Sequence, residues 1–97
     1  MKKALVFDIF GAIIPVEYVT DLIGDEGAEG IYCAKTKSIQ IDDSLENDDY
    51  MMTLIHEFFH GISDRISLNQ ALDERLEEII CDAFAKCIVE NFEIKTK

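Results

Sequence analysis

The spacing of apolar residues changes partway along the chain, and this change restricts the fold more than any other feature. Residues 4–9 and 12–19 are rich in Val, Ile, Phe and Tyr and are separated by Gly11, which is typical of two strands joined by a tight turn. From Tyr50 onward, apolar residues recur at intervals of three and four, the period of a helix. The sequence therefore predicts an α+β domain with strands first and helices last.

A second hairpin is predicted in the middle of the chain. Residues 30–33 and 38–42 flank a polar connection, and Ile39 and Ile41 alternate with polar residues, as in a half-buried strand. The expected sheet therefore has three or four strands.

Two sequence features affect the predicted strands and their connections. Pro15 cannot donate a backbone hydrogen bond, so strand 12–19 is predicted to be an edge strand or to contain a bulge. The glycine-rich segment 21–30 is predicted to be a loop around one helical turn.

Two helices are predicted after the sheet. Acidic and capping residues at 42–49 precede the first helix, expected over Tyr50 to Ile62. The second is expected from near Asn69 to near Asn91, buried on two sides because it has two nearly opposite stripes. The larger stripe comprises Leu72, Leu76, Ile79, Ile80, Ala83 and Cys87, and the stripe of smaller residues comprises Ala71, Glu78, Cys81, Asp82, Ala85 and Val89.

Length and charge limit the organisation and the partners. A chain of 97 residues predicts a single domain, residues 1–97. A net charge of -11 disfavours nucleic-acid binding, which depends on lysines and arginines. The three cysteines cannot all pair with one another, and reduced, buried thiols are expected.

The sequence predicts a cytoplasmic protein without membrane contact. Asp8 interrupts the apolar start of the chain, which argues against a signal peptide. No apolar stretch approaches the length that crosses a bilayer.

The only two histidines of the chain lie one helical turn apart. His56 and His60 occupy positions i and i+4, so both imidazoles can reach a single ion. Glu57 follows the first histidine and can act as general base toward a metal-bound water. This H-E-x-x-H arrangement is that of a zinc peptidase, in which Zn²⁺ lowers the pKa of its water to about 7 and polarises the carbonyl under attack.

A catalytic zinc ion requires a third protein ligand, and no histidine remains. Glu78 and Asp82 lie four residues apart in the stripe of small residues, so both are predicted to face the histidine helix. Glu78 is the predicted third ligand, and Asp82 is predicted to accept a hydrogen bond from the far nitrogen of a ligand histidine. Glu77 is the main rival ligand, and Cys81 is a weaker one.

These two segments resemble the gluzincins, in which H-E-x-x-H on one helix is joined by E-x-x-x-D on the next. Residues 56–60 and 78–82 carry the two motifs. Residues 78–85 also resemble the E-x-x-A-N/D-x-F-A segment of ImmA/IrrE-type peptidases, with Cys81 in place of alanine. The whole chain is similar to small phage-encoded proteins regarded as metallopeptidases.

The resemblance implies a minimal zincin-like domain, with a small sheet packed on an active-site helix and a C-terminal glutamate helix. The residues that it assigns are His56, His60 and Glu78 as zinc ligands, Glu57 as base and Asp82 as partner of a ligand histidine. It also implies that one strand of residues 30–42 is an edge along which an extended peptide substrate lies.

Larger gluzincins provide a further His or Tyr that stabilises the oxyanion, and this chain has no further histidine. The candidates that could replace it are Tyr18, Tyr32, Tyr50 and Arg65, and the sequence leaves the choice open.

The expected function is hydrolysis of a peptide or protein substrate by a zinc metallopeptidase. The alternative is a metal-stabilised protein-binding or inhibitor module whose peptidase site is vestigial. A latent enzyme is a variant of the first, in which residues 91–97 fold over the cleft.

Overall fold

The computed structural model describes residues 4–96. Residues 1–3 and Lys97 lie outside the described residues. The first three belong to the segment considered above as a signal peptide, and Lys97 is the last residue of the tail predicted to cover the cleft. The elements are β1 (Leu5–Ile9), β2 (Ala12–Val19), α1 (Leu22–Glu26), β3 (Gly30–Cys33), β4 (Ser38–Asp42), α2 (Asn47–Arg65), α3 (Leu68–Ala71) and α4 (Glu74–Asn91). The predicted α+β class is confirmed, and α1 is the helical turn predicted within segment 21–30.

The four strands form one mixed sheet in the order β1-β2-β4-β3. The β1–β2 and β3–β4 pairs are antiparallel, which confirms both predicted hairpins. A parallel pairing of β2 with β4 joins the hairpins, with Val16 opposite Ile39 and Tyr18 opposite Ile41. This order leaves β3 at one edge of the sheet, and a strand edge carries unpaired backbone donors and acceptors.

The prediction that strand 12–19 is an edge strand or contains a bulge was wrong, because β2 pairs on both sides and its register is one-to-one. β2 has a neighbour on each side, but its pairing with β4 begins only at Val16. Pro15 pairs with Val6 of β1 and lies just before that point. The proline is tolerated because no ladder with β4 passes through its position.

The core lies between one face of the sheet and α2. Its largest fully buried side chains are Ile14, Ile39, Ile41 and Leu54. Complete burial of a side chain of this size stabilises the fold by about 1.5–3 kcal/mol. Helix α2 contacts β1, β3 and β4 on one side and α4 on the other, so it is the central element.

The edge strand β3 approaches α2 closely because of Gly30. A Cβ atom at Gly30 would lie 2.7 Å from Cγ2 of Thr53 and 3.1 Å from Cγ of Glu57. Any larger residue would push the strand away from the helix. This glycine therefore sets the distance between the sheet edge and the face of α2 that carries Glu57.

The last helix does not begin near Asn69, as the sequence predicts. The chain forms the short helix α3, becomes extended at Leu72, and begins α4 at Glu74. The break occurs because the Asp73 carboxylate accepts a 2.7 Å hydrogen bond from the backbone N–H of Leu76, which caps a new helix start. The predicted end at Asn91 is confirmed.

The prediction that this helix is buried on two sides was also wrong. Cys81 and Ala85, from the stripe of small residues, are buried against α2, whereas Leu76 is 43 % exposed and Ile79 55 % exposed. Close approach through small residues therefore selects the packed face. Within residues 4–96, no helix has the length and apolar character that crossing a membrane demands.

The predicted burial of the thiols holds for one cysteine of three. All three are free, but only Cys81 is buried, and Cys87 is exposed on α4.

Asp42, at the end of β4, accepts hydrogen bonds from α1 and from the segment that follows β4. One carboxylate oxygen accepts a 2.9 Å hydrogen bond from the N–H of Ile23, in α1, and the other accepts from the N–H and the hydroxyl of Ser44. The Ser44 hydroxyl, followed by the backbone N–H of Ile23, lowers the pKa of Asp42 below its usual value. The ionised carboxylate therefore stabilises the folded state.

The Asp42→Asn variant is expected to lose less stability in acid than the wild type. Above a pH of about 4, the usual pKa of aspartate, the wild-type contribution is complete, and it disappears as the pH falls through the lowered folded-state pKa. The difference between their free energies of unfolding should therefore narrow as the pH is lowered below about 4. Urea unfolding above and below this pH measures the difference, with Glu17→Gln as the control for removal of one exposed charge. A difference that stays constant would contradict the prediction.

Candidate metal centre and cleft

Antiparallel helices α2 and α4 bring two imidazoles and one carboxylate together. Nε2 of His56 and Nε2 of His60 lie 3.1 Å apart. Glu78 places Oε2 3.1 Å from Nε2 of His56 and Oε1 2.7 Å from Nε2 of His60. The structure thus brings together the three residues that the sequence predicts as ligands, and this group could hold a metal ion.

The distances among these atoms fit a small cation. Ligands about 2.0–2.1 Å from a tetrahedrally bound zinc ion lie roughly 3.3 Å from one another. The two imidazole nitrogens lie 3.1 Å apart, and each lies 2.7–3.1 Å from a different oxygen of Glu78, so binding of an ion through one of these oxygens requires Glu78 to adjust. The Glu78 side chain is 54 % exposed, which gives it freedom to make that adjustment.

The opposite nitrogen of each imidazole faces a second carboxylate. Nδ1 of His60 lies 3.4 Å from Glu77, and Nδ1 of His56 lies 3.8 Å from Asp82. A carboxylate at Nδ1 favours the tautomer that carries its proton there and leaves the Nε2 lone pair free for a cation. The Asp82 distance is too long for a direct hydrogen bond, and its side chain is 81 % exposed. Asp82 therefore lies on the predicted side of a histidine but holds it loosely.

Both rival ligands lie outside the group of donor atoms. Glu77 contacts the Nδ1 side of His60, so it is placed to orient that histidine while Glu78 faces the shared centre. Burial, followed by the charges of Glu77 and Glu78, raises the pKa of Cys81 to about 12. A thiol with that pKa is protonated and a poor ligand.

Glu57 lies beside the donor group at the base of the cleft. The residue is only 7 % exposed, and Oε2 lies 4.0 Å from Nε2 of His56. The pKa of Glu57 is raised to about 7, chiefly by burial; the charge of Glu78 acts in the same direction, and His60 and the backbone N–H of Tyr32 act in the opposite direction. A cation at the neighbouring donors would favour the ionised carboxylate.

A cleft of about 690 Å³ surrounds these residues. One face of α2 forms its floor, the edge strand β3 forms one wall and α4 forms the other. The residues contributed by α2 recur at helical spacing and are Asp49, Met52, Thr53, His56, Glu57, His60 and Asp64. A cleft of this size can accommodate several residues of an extended chain.

Of the residues predicted as possible oxyanion stabilisers, Tyr32 alone lines the cleft. Its hydroxyl donates a 2.7 Å hydrogen bond to Asp64, which also pairs with Lys37. Burial and the contact with Asp64 raise the pKa of Tyr32 above its usual value, so the hydroxyl is a neutral donor.

Tyr18, Tyr50 and Arg65 do not line the cleft. The hydroxyls of Tyr18 and Tyr50 lie 2.8 Å apart. Arg65 donates to the backbone oxygens of Ile9 and Phe10 at 3.1 and 2.8 Å, so it joins the end of α2 to the first hairpin.

The C-terminal tail does not cover the cleft over the residues that the structure describes. Residues 92–96 are exposed, and none of them lines the cleft. The latent arrangement predicted for residues 91–97 is therefore not the conformation of this described segment.

Sequence reasoning missed the contact of Glu77 with Nδ1 of His60. The antiparallel pairing of the helices provides a signal, because His56 faces Asp82 and His60 must then face residues about one turn earlier on α4. It also missed the acidic lining of the cleft by Glu29, Asp49 and Glu74.

Comparison with protein families, with curated proteins and with solved structures found no match to this chain.

Proposed function

We propose that this protein is a minimal zincin-like, zinc-dependent metallopeptidase that hydrolyses peptide bonds in the cleft between β3, α2 and α4. One observation carries the proposal: the buried Glu57 carboxylate lies beside the convergent donor atoms of His56, His60 and Glu78. Two imidazoles and one carboxylate are a ligand set of catalytic zinc in hydrolases, and an adjacent buried carboxylate is the general base that this reaction needs.

The donor set supports zinc over the hard cations. Mg²⁺ and Ca²⁺ select oxygen ligands, whereas two of the three donors are imidazole nitrogens. Fe(II) also accepts two histidines and a carboxylate, but Glu57 in the H-E-x-x-H position favours hydrolysis.

The proposed mechanism assigns separate roles to the residues of the cleft. His56, His60 and Glu78 would hold the ion, Glu77 would orient the imidazole of His60 from its Nδ1 side, and Asp82 would support His56 more loosely from the same side. When bound, zinc supplies a Lewis acid that activates water and polarises the scissile carbonyl. Glu57 accepts the proton of the attacking water and then passes it to the departing amine.

Cleavage of a peptide library tests the proposal. Zinc-loaded protein is expected to create new peptide termini, detected by mass spectrometry, and a chelator should abolish them because the ligands then hold no ion. Restoring one equivalent of zinc should restore cleavage, which separates loss of metal from irreversible unfolding. Cleavage that persists after verified metal removal would refute the proposal, and so would the absence of cleavage by protein that contains stoichiometric zinc.

A further inference from the structure

The walls of the cleft are strongly acidic beyond the proposed metal ligands. Glu29, Asp49 and Glu74 line it together with Glu77 and Asp82, and among the described residues that line it none is Lys or Arg. Asp64 also lines the cleft, but Lys37 offsets its charge. A concave surface lined by one sign of charge attracts ligands of the opposite sign.

Two of these acids lie near Thr53, on the face of α2 that lines the cleft. The Thr53 hydroxyl donates a 3.1 Å hydrogen bond to Oε2 of Glu29, and Asp49 precedes Thr53 by one turn on the same face of α2. Asp49 is seven residues from His56, which corresponds to about 10 Å along the helix axis. Asp49 is therefore separated from the proposed metal centre by the length of about three extended residues. Glu29 lies closer, because it is bonded to Thr53, which is only about 4.5 Å from His56 along the helix axis.

The edge strand β3 presents backbone groups along the same path. The Tyr32 N–H faces Glu57, away from β4. In an antiparallel strand, a residue directs its N–H and C=O to the same side, and alternate residues share that side. Gly30 therefore offers a backbone donor and an acceptor to the cleft, and Tyr32 offers its C=O while its N–H faces Glu57; an extended peptide can pair with these groups.

We infer, as an extension of the proposed function, that the substrates are cationic peptides. An extended peptide pairs with Gly30 and Tyr32, and a lysine or arginine two to three residues from the scissile bond contacts Glu29 and Asp49. The charge of these acids selects the substrate, and the free strand edge sets its direction and register.

Charge-matched peptides test this inference independently of cleavage. Blocked, fluorescent peptides that differ only by Lys, Gln or Glu at one position are titrated against zinc-loaded Glu57→Gln protein, with anisotropy as the readout. The Lys peptide is expected to bind about 10-fold more tightly than the Gln peptide at low ionic strength, and the ratio should fall as salt is added. Wild-type protein is assayed in parallel for cleavage of the same peptides.

Two pairs of substitutions distinguish the effect of the cleft acids on peptide binding from the effect of the overall charge of -11. In the Glu57→Gln protein, the further substitutions Glu29→Gln and Asp49→Asn are expected to reduce the preference for binding the Lys peptide over the Gln peptide to about 2-fold or less. Adding Glu17→Gln and Glu90→Gln, two exposed positions outside the cleft, removes the same charge and should preserve the preference. Equal losses in both variants would overturn the inference.

The outcomes also distinguish this inference from the proposed function. Cleavage of Lys, Gln and Glu peptides at equal rates would refute the charge selection and retain the metallopeptidase. Selective, Glu29- and Asp49-dependent binding without cleavage by the wild type would retain the cationic ligand and refute hydrolysis.

Discussion

Replacing Glu57 by Gln is expected to reduce peptide hydrolysis by about 10²–10⁴-fold, the usual contribution of a general base. The glutamine side chain has nearly the same volume, so the buried position beneath Gly30 stays filled. It cannot accept the proton of the attacking water, however. The measurement is kcat/KM on one cleaved peptide, together with the zinc content of each preparation.

Zinc content decides how this result is interpreted. Glu57 is not one of the three convergent donors, so the variant should bind zinc stoichiometrically and unfold at a temperature near that of the zinc-loaded wild type. Glu17→Gln, on the exposed outer face of β2, is the matched control and should retain full activity. A zinc-loaded Glu57→Gln protein with wild-type activity would refute the role of Glu57. If a partner-binding activity were then found and it survived in this variant, a metal-stabilised binding module would be the better description.

The site was predictable from sequence because it depends on spacing within helices. Residues four apart share a helical face, so His56 with His60, and Glu78 with Asp82, were each expected on one side of a helix. Cys81 lies between the two acids and, being small, allows α4 to approach α2 closely. The local period and the size of the intervening residues therefore specify most of the centre.

The interruption before α4 was not predicted because two local signals compete there. The apolar period continues through Leu72, which favours one long helix from near Asn69. Asp73 can satisfy the N–H of Leu76 and begin a new helix instead. Periodicity alone does not reveal which signal is stronger.

The arrangement of strands also depends on contacts that are distant in sequence. Tight connections indicate which strands form hairpins, and both hairpins were predicted. The parallel contact of β2 with β4 joins residues more than twenty positions apart, and no local signal reports it. The same contact makes β3 an edge strand and thereby opens the cleft beside Gly30.

The roles of Glu77 and Glu78 depend on side-chain direction rather than on spacing. Adjacent helical residues point about 100° apart, and both acids can reach the same histidine. In the structure Glu78 faces Nε2 of His60, whereas Glu77 faces Nδ1. Sequence alone could therefore identify the two rivals but could not separate them.

Zinc affinity should separate the roles of these two acids, because only one contributes a donor atom. Glu78→Gln is expected to weaken zinc binding by more than about 100-fold. Glu77→Gln, which removes only a partner of a ligand, should weaken it by about 10–100-fold. Competition with a chromophoric chelator at constant pH measures both affinities, and Glu74→Gln, which removes another acid of the cleft without touching the donors, is the control.

Unfolding experiments provide an independent measure of the same difference, because a ligand that binds the folded state stabilises it. At a free zinc concentration 100 times the dissociation constant, the wild type should gain about 2.7 kcal/mol. A 100-fold weaker variant would gain only about 0.4 kcal/mol at that concentration. Glu78→Gln should therefore lose nearly all zinc-dependent stabilisation, whereas Glu77→Gln should keep a larger share and Glu74→Gln the whole. If Glu77→Gln were the more damaged variant by both measurements, Glu77 would be the ligand and Glu78 the orienting residue.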